Sequence, residues 1–316
     1  MKLNKQKLLS ILLPCFLGWI FSYLATNIYR NYAFGLFVWL PFVLGITSTL
    51  IYSYHNDVGR VSLKYNSYLA LIFFSIGLLF FAWEGIICLI MAFPIAILFT
   101  YLGFLIGHLL TNNKWKTKTP TLVILLSVSV PALISFENNY KWKDELRFVK
   151  TSIEINATQE EVWKNVIEFP QLKEPKEFIF KTGIAYPISA TINGEGVGAV
   201  RHCNFTTGCF VEPITIWEKP SILQFNVEEQ PEPMKEISFY NIHPTHLHGY
   251  WVSQKGQFKL TKLPNGHTLL EGTTWYVNKI RPAIYWTIWS DFIVHKIHKR
   301  VLEHIKEQSE KYIQNP

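Results

Sequence analysis

The stretch PAIYWTIWSDFIVHKIHKRVLEHIKEQSEKYI, residues 282–313, decides the fold of this chain. Its proline stands at a first helical position, and about thirty residues without glycine or another proline follow, so we predict one long helix. At 100° per residue the helix carries an apolar stripe, formed by Trp286, Ser290, Ile293, Ile297, Val301 and His304. The opposite side carries Asp291, His295, His298, Lys299, Glu303 and Lys306. A helix of this length needs a large apolar surface to cover its stripe.

A run of strands precedes the helix and can provide that surface. We predict strands at 149–156, 187–193, 197–206, 209–218, 221–229, 249–263 and 267–279, separated by turn signals such as Pro264-Asn265-Gly266. A short amphipathic helix follows the first strand, because Thr158 and Glu161 have the spacing of a capping box. Residues 230–248, rich in proline and histidine, interrupt the series. The pattern predicts an α+β domain in which an antiparallel sheet wraps around the long helix.

Residues 148–313 resemble the SRPBCC superfamily, which includes START, plant-allergen and polyketide cyclase/dehydrase domains. The likeness is carried by IEINATQEEVW (153–163), GEGVGAVRHCNF (194–205), EPITIWEKP (212–220), LEGTTWY (270–276) and the terminal helix. The resemblance implies a helix-grip fold that encloses an apolar cavity for lipids, sterols, polyketides or similar molecules. Some members are enzymes and many only bind or carry, so it implies a hydrophobic ligand but no particular reaction.

The first part of the chain, residues 1–139, is predicted to be an integral membrane region, and residues 140–316 to be the helix-grip domain. Residues 8–28 and 32–54 are each long enough to cross a hydrocarbon core. Residues 67–110 are long enough for two crossings, with a turn at Trp83-Glu84-Gly85, and residues 120–136 form a shorter fifth run. We predict five spans, with four as the alternative.

Charge is divided unequally between the two parts. Residues 1–139 contain nine Lys and Arg against three Asp and Glu, whereas residues 140–316 contain 21 against 20. The excess lies in loops between apolar runs, including Lys2 and Lys114, so we attribute it to membrane topology and expect no nucleic-acid partner. With five spans the basic loops share one side, taken as cytoplasmic. The helix-grip domain of this multi-pass inner (plasma) membrane protein would then be extracytoplasmic.

Arg201 and His202 are the first candidates for a ligand site, because neighbours on a strand point to opposite faces and one of them should face inward. Glu271 lies on the last predicted strand. A buried Arg or His opposite this carboxylate could bind an acidic head group or act in acid–base chemistry. A structural ion pair between strands is the alternative. Ser290 and His304 on the apolar stripe are further cavity candidates, or else satisfied core residues.

Aromatic and histidine residues complete the candidate set. Trp275 lies in the LEGTTWY segment and Trp286 on the stripe of the long helix. The sequence His243-Pro-Thr-His246-Leu-His248 could hold Zn²⁺, since three imidazoles lie within six residues. The spacing matches no established metal signature and the proline favours a loop, so we predict a pocket-rim loop, no metal and no cofactor.

Five further side chains, one glutamate and four cysteines, stand in positions that need an interpretation. Glu84 interrupts a long apolar run, which indicates either an interfacial turn, our preferred interpretation, or a buried proton or ion site. Cys15 and Cys88 fall inside spans and are expected to be packing residues. Cys203 and Cys209 flank a turn, and a three-residue loop would place them opposite each other, whereas a slip of one residue would turn them to different faces.

The function predicted from these features is a membrane-anchored domain that binds or carries a hydrophobic or amphiphilic, lipid-like ligand. The first alternative is an enzyme of cyclase, dehydratase or hydrolase type with Arg201, His202 and Glu271 in its site. The second is an interaction module whose cavity is filled by its own side chains. Protein partners are not indicated. The apolar first turns of the long helix, with Tyr285, Ile288 and Phe292 outside the stripe, are predicted to dock against the membrane part.

Overall fold

The computed structural model describes residues 5–111, 116–240, 242 and 244–314, which leaves Lys2, Lys114 and His243 outside the described residues. The chain forms two compact units. The first unit takes in the chain up to Lys143 together with Glu236–His246 and Ile280–Tyr285. The second unit takes in Asp144–Lys235, Leu247–Lys279 and the chain from Trp286 onward.

Within its described residues, the first unit has five helices that are long and apolar enough to cross a membrane, the number predicted. They are α1 (Lys5–Tyr23, extended by a π turn to Ile28), α2 (Leu40–Ser53, preceded by a π turn from Gly35), α3 (Arg60–Phe80), α4 (Ile86–Thr111) and α5 (Thr119–Asn139). The predicted division of residues 67–110 is confirmed, because α3 ends at Phe80 and α4 begins at Ile86.

Helices α2 and α4 pack with their backbones in direct contact. A β carbon at Gly45 of α2 would lie 2.2 Å from the carbonyl oxygen of Thr100, and one at Gly103 of α4 would lie 2.1 Å from that of Phe42. Small residues permit this approach, as is usual between helices in a bilayer, where packing and hydrogen bonds drive association. The close contact between α2 and α4 therefore depends on Gly45 and Gly103.

The second unit contains one seven-stranded antiparallel sheet in the order β1-β7-β6-β5-β4-β3-β2. The strands are β1 (Leu146–Ile155), β2 (Pro187–Asn193), β3 (Val200–Phe205), β4 (Gly208–Glu218), β5 (Ile222–Asn226), β6 (Trp251–Lys262) and β7 (Thr268–Asn278). A short helix, α6 (Gln159–Ile167), and the long helix α7 (Ala283–Gln314) complete it. These elements form a helix-grip α+β domain, which confirms the predicted fold class.

The short helix α6 begins where the sequence predicted. Thr158 and Glu161 form both bonds of the capping box: the Glu161 amide donates to the Thr158 hydroxyl, and the Thr158 amide donates to the Glu161 carboxylate. One face of α6 buries Val162, Trp163 and Val166 completely. These side chains join an apolar core with residues of the sheet and of α7, including Leu223, Leu270, Val301, Leu302 and Ile305.

The prediction that the polar side of α7, opposite its apolar stripe, faces away from the sheet is partly wrong. Asp291 accepts a hydrogen bond from the hydroxyl of Tyr276, and His298 lies 2.8 Å from the hydroxyl of Thr274. Both polar side chains therefore contact the sheet. The helical wheel assigns polar residues to the outside by hydropathy alone. Here the inner face of β1 and β7 offers polar partners, so the buried side of α7 includes polar residues.

Candidate functional site

An ion pair lies in the interior of the helix-grip domain. The register of β3 and β4 places Arg201 directly opposite Glu212, and the guanidinium Nη1 contacts the carboxylate Oε2. The two side chains are only 2% and 8% exposed. Arg201 Nε also donates to the carbonyl oxygen of Ile167, at the end of α6, at 3.1 Å. Three elements, β3, β4 and α6, therefore fix the guanidinium.

Aromatic rings surround this guanidinium. Its central carbon lies 5.5 Å from the ring centre of Phe169, 5.4 Å from that of Phe225 and 5.7 Å from that of Phe258. These distances are within the range of cation–π attraction, which is stronger away from water. The site is a single cation held among rings, with one carboxylate beside it.

Burial opposes the charged form of Arg201, but Glu212 beside it raises the guanidinium pKa above its ordinary value. Burial likewise raises the pKa of Glu212, and Arg201 opposes that rise. Direct contact with the guanidinium favours the charged form of the Glu212 carboxylate and so opposes the effect of burial. Removing two charges from water costs several kcal/mol per ion, and mutual attraction offsets this only in good geometry. Apolar side chains of similar volume often replace a buried ion pair without loss of stability.

Glu271 is not the partner of Arg201. Its neighbour Gly272 faces α7, since a β carbon there would lie 3.6 Å from Leu302, so Glu271 points to the other face of the sheet. There its carboxylate accepts a hydrogen bond from Lys150 at 2.8 Å. His202, next to Arg201 on β3, lies on this outer face and is partly exposed.

Sequence reasoning missed Glu212 because the strand pattern left the register of β3 and β4 open. The structure pairs Phe205 with Gly208, leaving a two-residue turn, and this register brings Glu212 opposite Arg201. The same register pairs Cys203 with Phe210 rather than with Cys209, and both cysteines are free thiols. The signal that could have identified Glu212 is the short Thr-Thr turn itself.

The remaining candidates of the helix-grip domain are dispersed. Trp275 lies on the outer face of the sheet, where Lys255 Nζ is 4.4 Å above its ring. Ser290 accepts a hydrogen bond from Asn278 at 2.9 Å and thus bridges α7 to β7. Trp286 and His304 are buried, at 6% and 8% exposure.

Of these candidates, His304 comes nearest to the ion pair. Its ring centre lies 5.8 Å from that of Phe169, the ring that also contacts Arg201. Burial lowers the pKa of His304, so its imidazole is neutral at physiological pH. The Phe169 ring therefore contacts both Arg201 and His304.

A second polar group lies between α7 and strands β1 and β7. His298 Nδ1 lies 3.2 Å from the hydroxyl of Thr151, and His298 Nε2 lies 2.8 Å from that of Thr274. His295 Nδ1 shares the Thr151 hydroxyl at 2.8 Å. Burial, with a contribution from His295, lowers the pKa of His298 to about 4. This group holds the helix against the sheet through hydrogen bonds, in which the ring of His298 takes part in its neutral form.

The predicted histidine loop does not form one site in the described residues. His246 belongs to the first unit, where its Nε2 lies 2.8 Å from Cys88 Sγ and its Nδ1 lies 3.6 Å from Glu84 Oε2. Burial and the neighbouring charge of Glu236 raise the pKa of Glu84 to about 8. His248 belongs to the second unit and is exposed, 3.4 Å from Glu232.

The strands and α7 define the second unit as a helix-grip domain. A scan against protein-family models gives no match, and a search of curated proteins gives none. Among solved structures, norcoclaurine synthase from Thalictrum flavum matches with 10% identity and a TM-score of 0.36, over 54% of this chain and 99% of that chain.

Two further solved structures each match about half of the chain. The Zhui aromatase/cyclase from a Streptomyces species has 11% identity and a TM-score of 0.35, over 54% of this chain and 96% of that chain. A protein from Nitrosospira multiformis has 18% identity and a TM-score of 0.32, over 51% and 95%. At these identities the likeness concerns the fold alone.

Proposed function

We propose that this is a multi-pass membrane protein whose helix-grip domain binds an amphiphilic, lipid-like molecule drawn from the bilayer. The apolar part of the ligand would lie between the sheet and α7. Its polar end would lie against Arg201 and Glu212. The observation that carries the proposal is this ion pair, buried among three phenylalanine rings in a chain that also has five membrane-length helices.

The guanidinium is suited to such a role because it has five N–H donors in a planar fork. It can keep its bonds to Glu212 and to the Ile167 carbonyl and still present donors to a carboxylate or phosphate. The phenylalanine rings around the guanidinium would contact the apolar carbon atoms that adjoin the polar head group of such a ligand. Stability alone gives no reason to keep a buried ion pair where apolar residues would serve as well.

Native mass spectrometry of the full-length protein, released from nanodiscs made with native lipids, tests the proposal. We expect a bound amphiphile in the wild-type protein. The double variant Arg201→Met/Glu212→Leu removes both charges together while keeping a filled interior, so it should fold and lose at least about tenfold in occupancy. Lys150→Gln/Glu271→Gln removes an ion pair on the outer face and is the matched control, with occupancy unchanged.

Occupancy that is equal in the wild-type protein and the Arg201→Met/Glu212→Leu variant would overturn the placement of the ligand. Absence of any bound small molecule would overturn binding itself. The mass of the released molecule is also informative. A ligand recovered with a changed mass after incubation would favour the enzyme over the carrier.

The topology forms part of the same proposal. Five spans with the basic loops in the cytoplasm would place the second unit outside the cytoplasm. A reporter that is active only in the periplasm, fused after residue 140, should be active. Activity of a cytoplasm-only reporter at the same position would reverse the orientation.

A further inference from the structure

Three side chains with metal-binding atoms meet at the connection between α3 and α4. They are Glu84 in the connection, Cys88 in the first turn of α4, and His246 in a short helical turn, Thr245–Leu247. One ligand atom from each lies within 4.8 Å of the other two. Glu84 and His246 are each only 9% exposed. The cluster is therefore compact, buried and built from two distant parts of the sequence.

The segment that carries His246 is fixed to the N-terminus of α4 by hydrogen bonds. The amide of Ile86 donates to the carbonyl oxygen of Ile237 at 3.0 Å. The amides of Ile87 and Cys88 donate to the carboxylate of Glu236 at 3.3 and 3.2 Å. The first amides of a helix have no partner inside the helix, so Glu236 and Ile237 act as its cap. The cap brings His246 beside Cys88.

Tyr32 supports the cluster from the side. Its ring centre lies 4.9 Å from that of His246, and its side chain makes a hydrogen bond with Glu84. Tyr32 is itself 3% exposed, and its carbonyl oxygen accepts a hydrogen bond from the amide of Arg281 at 2.9 Å. Outer groups that orient a carboxylate or an imidazole in this way are typical of metal sites.

We propose that Glu84, Cys88 and His246 bind a Zn²⁺ ion. A thiolate, an imidazole and a carboxylate are the three ligand types that zinc takes in proteins, and this mixture does not suit magnesium or calcium. Bond lengths of about 2.0–2.3 Å place tetrahedral ligand atoms about 3.3–3.8 Å apart. The Cys88–His246 separation of 2.8 Å needs to open only slightly to accept the ion. Three protein ligands leave a fourth position for water or Glu236.

A cysteine nucleophile activated by His246 is the competing interpretation, because His246 lies between a thiol and a carboxylate. Acyl transfer also needs donors for the developing oxyanion. The amides of Ile86, Ile87 and Cys88, the nearest donors at this helix end, are already bonded to Ile237 and Glu236. Two carboxylates beside the thiol match a cation better than an oxyanion. We therefore favour the metal.

Elemental analysis of the full-length protein, purified in detergent without an affinity tag, tests the proposal. We expect about one equivalent of zinc in the wild-type protein. His246→Gln and Cys88→Ser should each lower the zinc content below about a tenth of an equivalent. His248→Gln and Cys209→Ser, which change a histidine and a cysteine outside the cluster, should leave it unchanged.

Cobalt spectroscopy on the wild-type protein gives a second readout that requires no variant to fold. Co²⁺ added after removal of zinc should give tetrahedral d–d bands and a sulfur-to-cobalt charge-transfer band, and should slow alkylation of Cys88. Zinc content that His246→Gln and Cys88→Ser leave unchanged would overturn the proposal. So would a wild-type protein with less than about a tenth of an equivalent of zinc and no cobalt spectrum. Rapid alkylation of Cys88 that Zn²⁺ does not slow would favour the nucleophile.

Discussion

Gly85 lies directly against the carboxylate of Glu236, so that a β carbon at residue 85 would be 2.0 Å from Oε2. The carboxylate cannot move away freely, because it accepts hydrogen bonds from the amides of Ile87 and Cys88. We predict that Gly85→Ala displaces this cap of α4 and lowers stability by about 1–3 kcal/mol, the cost of losing hydrogen bonds to a charged group. Thermal unfolding of the detergent-solubilised protein measures the effect.

The control for this prediction is Gly59→Ala, in the connection before α3. A β carbon there meets nothing within 4 Å, so the melting temperature should change little. A Gly85→Ala protein as stable as the Gly59→Ala protein would mean that Glu236 does not cap α4.

Arg201→Met should be far more damaging than removal of the whole ion pair. The single variant leaves the Glu212 carboxylate buried without its cation, at a cost of about 3–5 kcal/mol. The double variant Arg201→Met/Glu212→Leu removes both charges and should be close to the wild-type protein in stability. Urea unfolding of the single and double variants in a double-mutant cycle measures the coupling. Independent effects of the two substitutions would contradict the pairing.

Because α2 and α4 are in backbone contact at Gly45, we predict that Gly45→Ala strongly lowers the stability of the protein. The added methyl group would meet the backbone of Thr100 at 2.2 Å, and a backbone atom cannot move aside as a side chain can. We expect a loss of at least about 2 kcal/mol. Gly18→Ala is the matched variant, because its methyl group would meet side-chain atoms, the ring of Phe74 at 3.1 Å and Leu40 at 3.7 Å. Thermal unfolding should rank Gly45→Ala well below Gly18→Ala, and the reverse order would refute the backbone contact.

The elements of this fold could be predicted because their signals are local. Alternation along the strands, the Pro264-Asn265-Gly266 turn and the Thr158 capping box each act over a few residues. Strand register is less visible, since one residue in the β3–β4 turn decides whether Arg201 meets Glu212. The observed partner of Arg201 therefore follows from a register that the sequence pattern left open.

Contacts between distant residues could not be predicted from such signals. Cys88 and His246 are 158 positions apart, and nothing near either residue indicates the other. The cysteine therefore looked like a packing residue in an apolar helix. The buried polar face of α7 was hidden for a similar reason, because the partners of His298 lie on β1 and β7. Hydropathy describes a residue alone, whereas burial depends on its partners.

His298 should make the stability of the protein depend on pH. Its pKa falls from 6.5 to about 4 on folding, because burial penalises the charged ring. Between pH 6.5 and 4 the unfolded chain therefore binds a proton at His298 that the folded chain does not bind. The free energy of unfolding falls as the pH falls through this range. From pH 7.5 to 4.5 this group should lower the free energy of unfolding by about 2–3 kcal/mol. His298→Gln should reduce that pH dependence by the same amount, which urea unfolding at several pH values would measure. The control is His248→Gln, at an exposed histidine, which should leave the pH dependence unchanged. Identical pH profiles for the wild-type and His298→Gln proteins would show that His298 is not held neutral against the sheet.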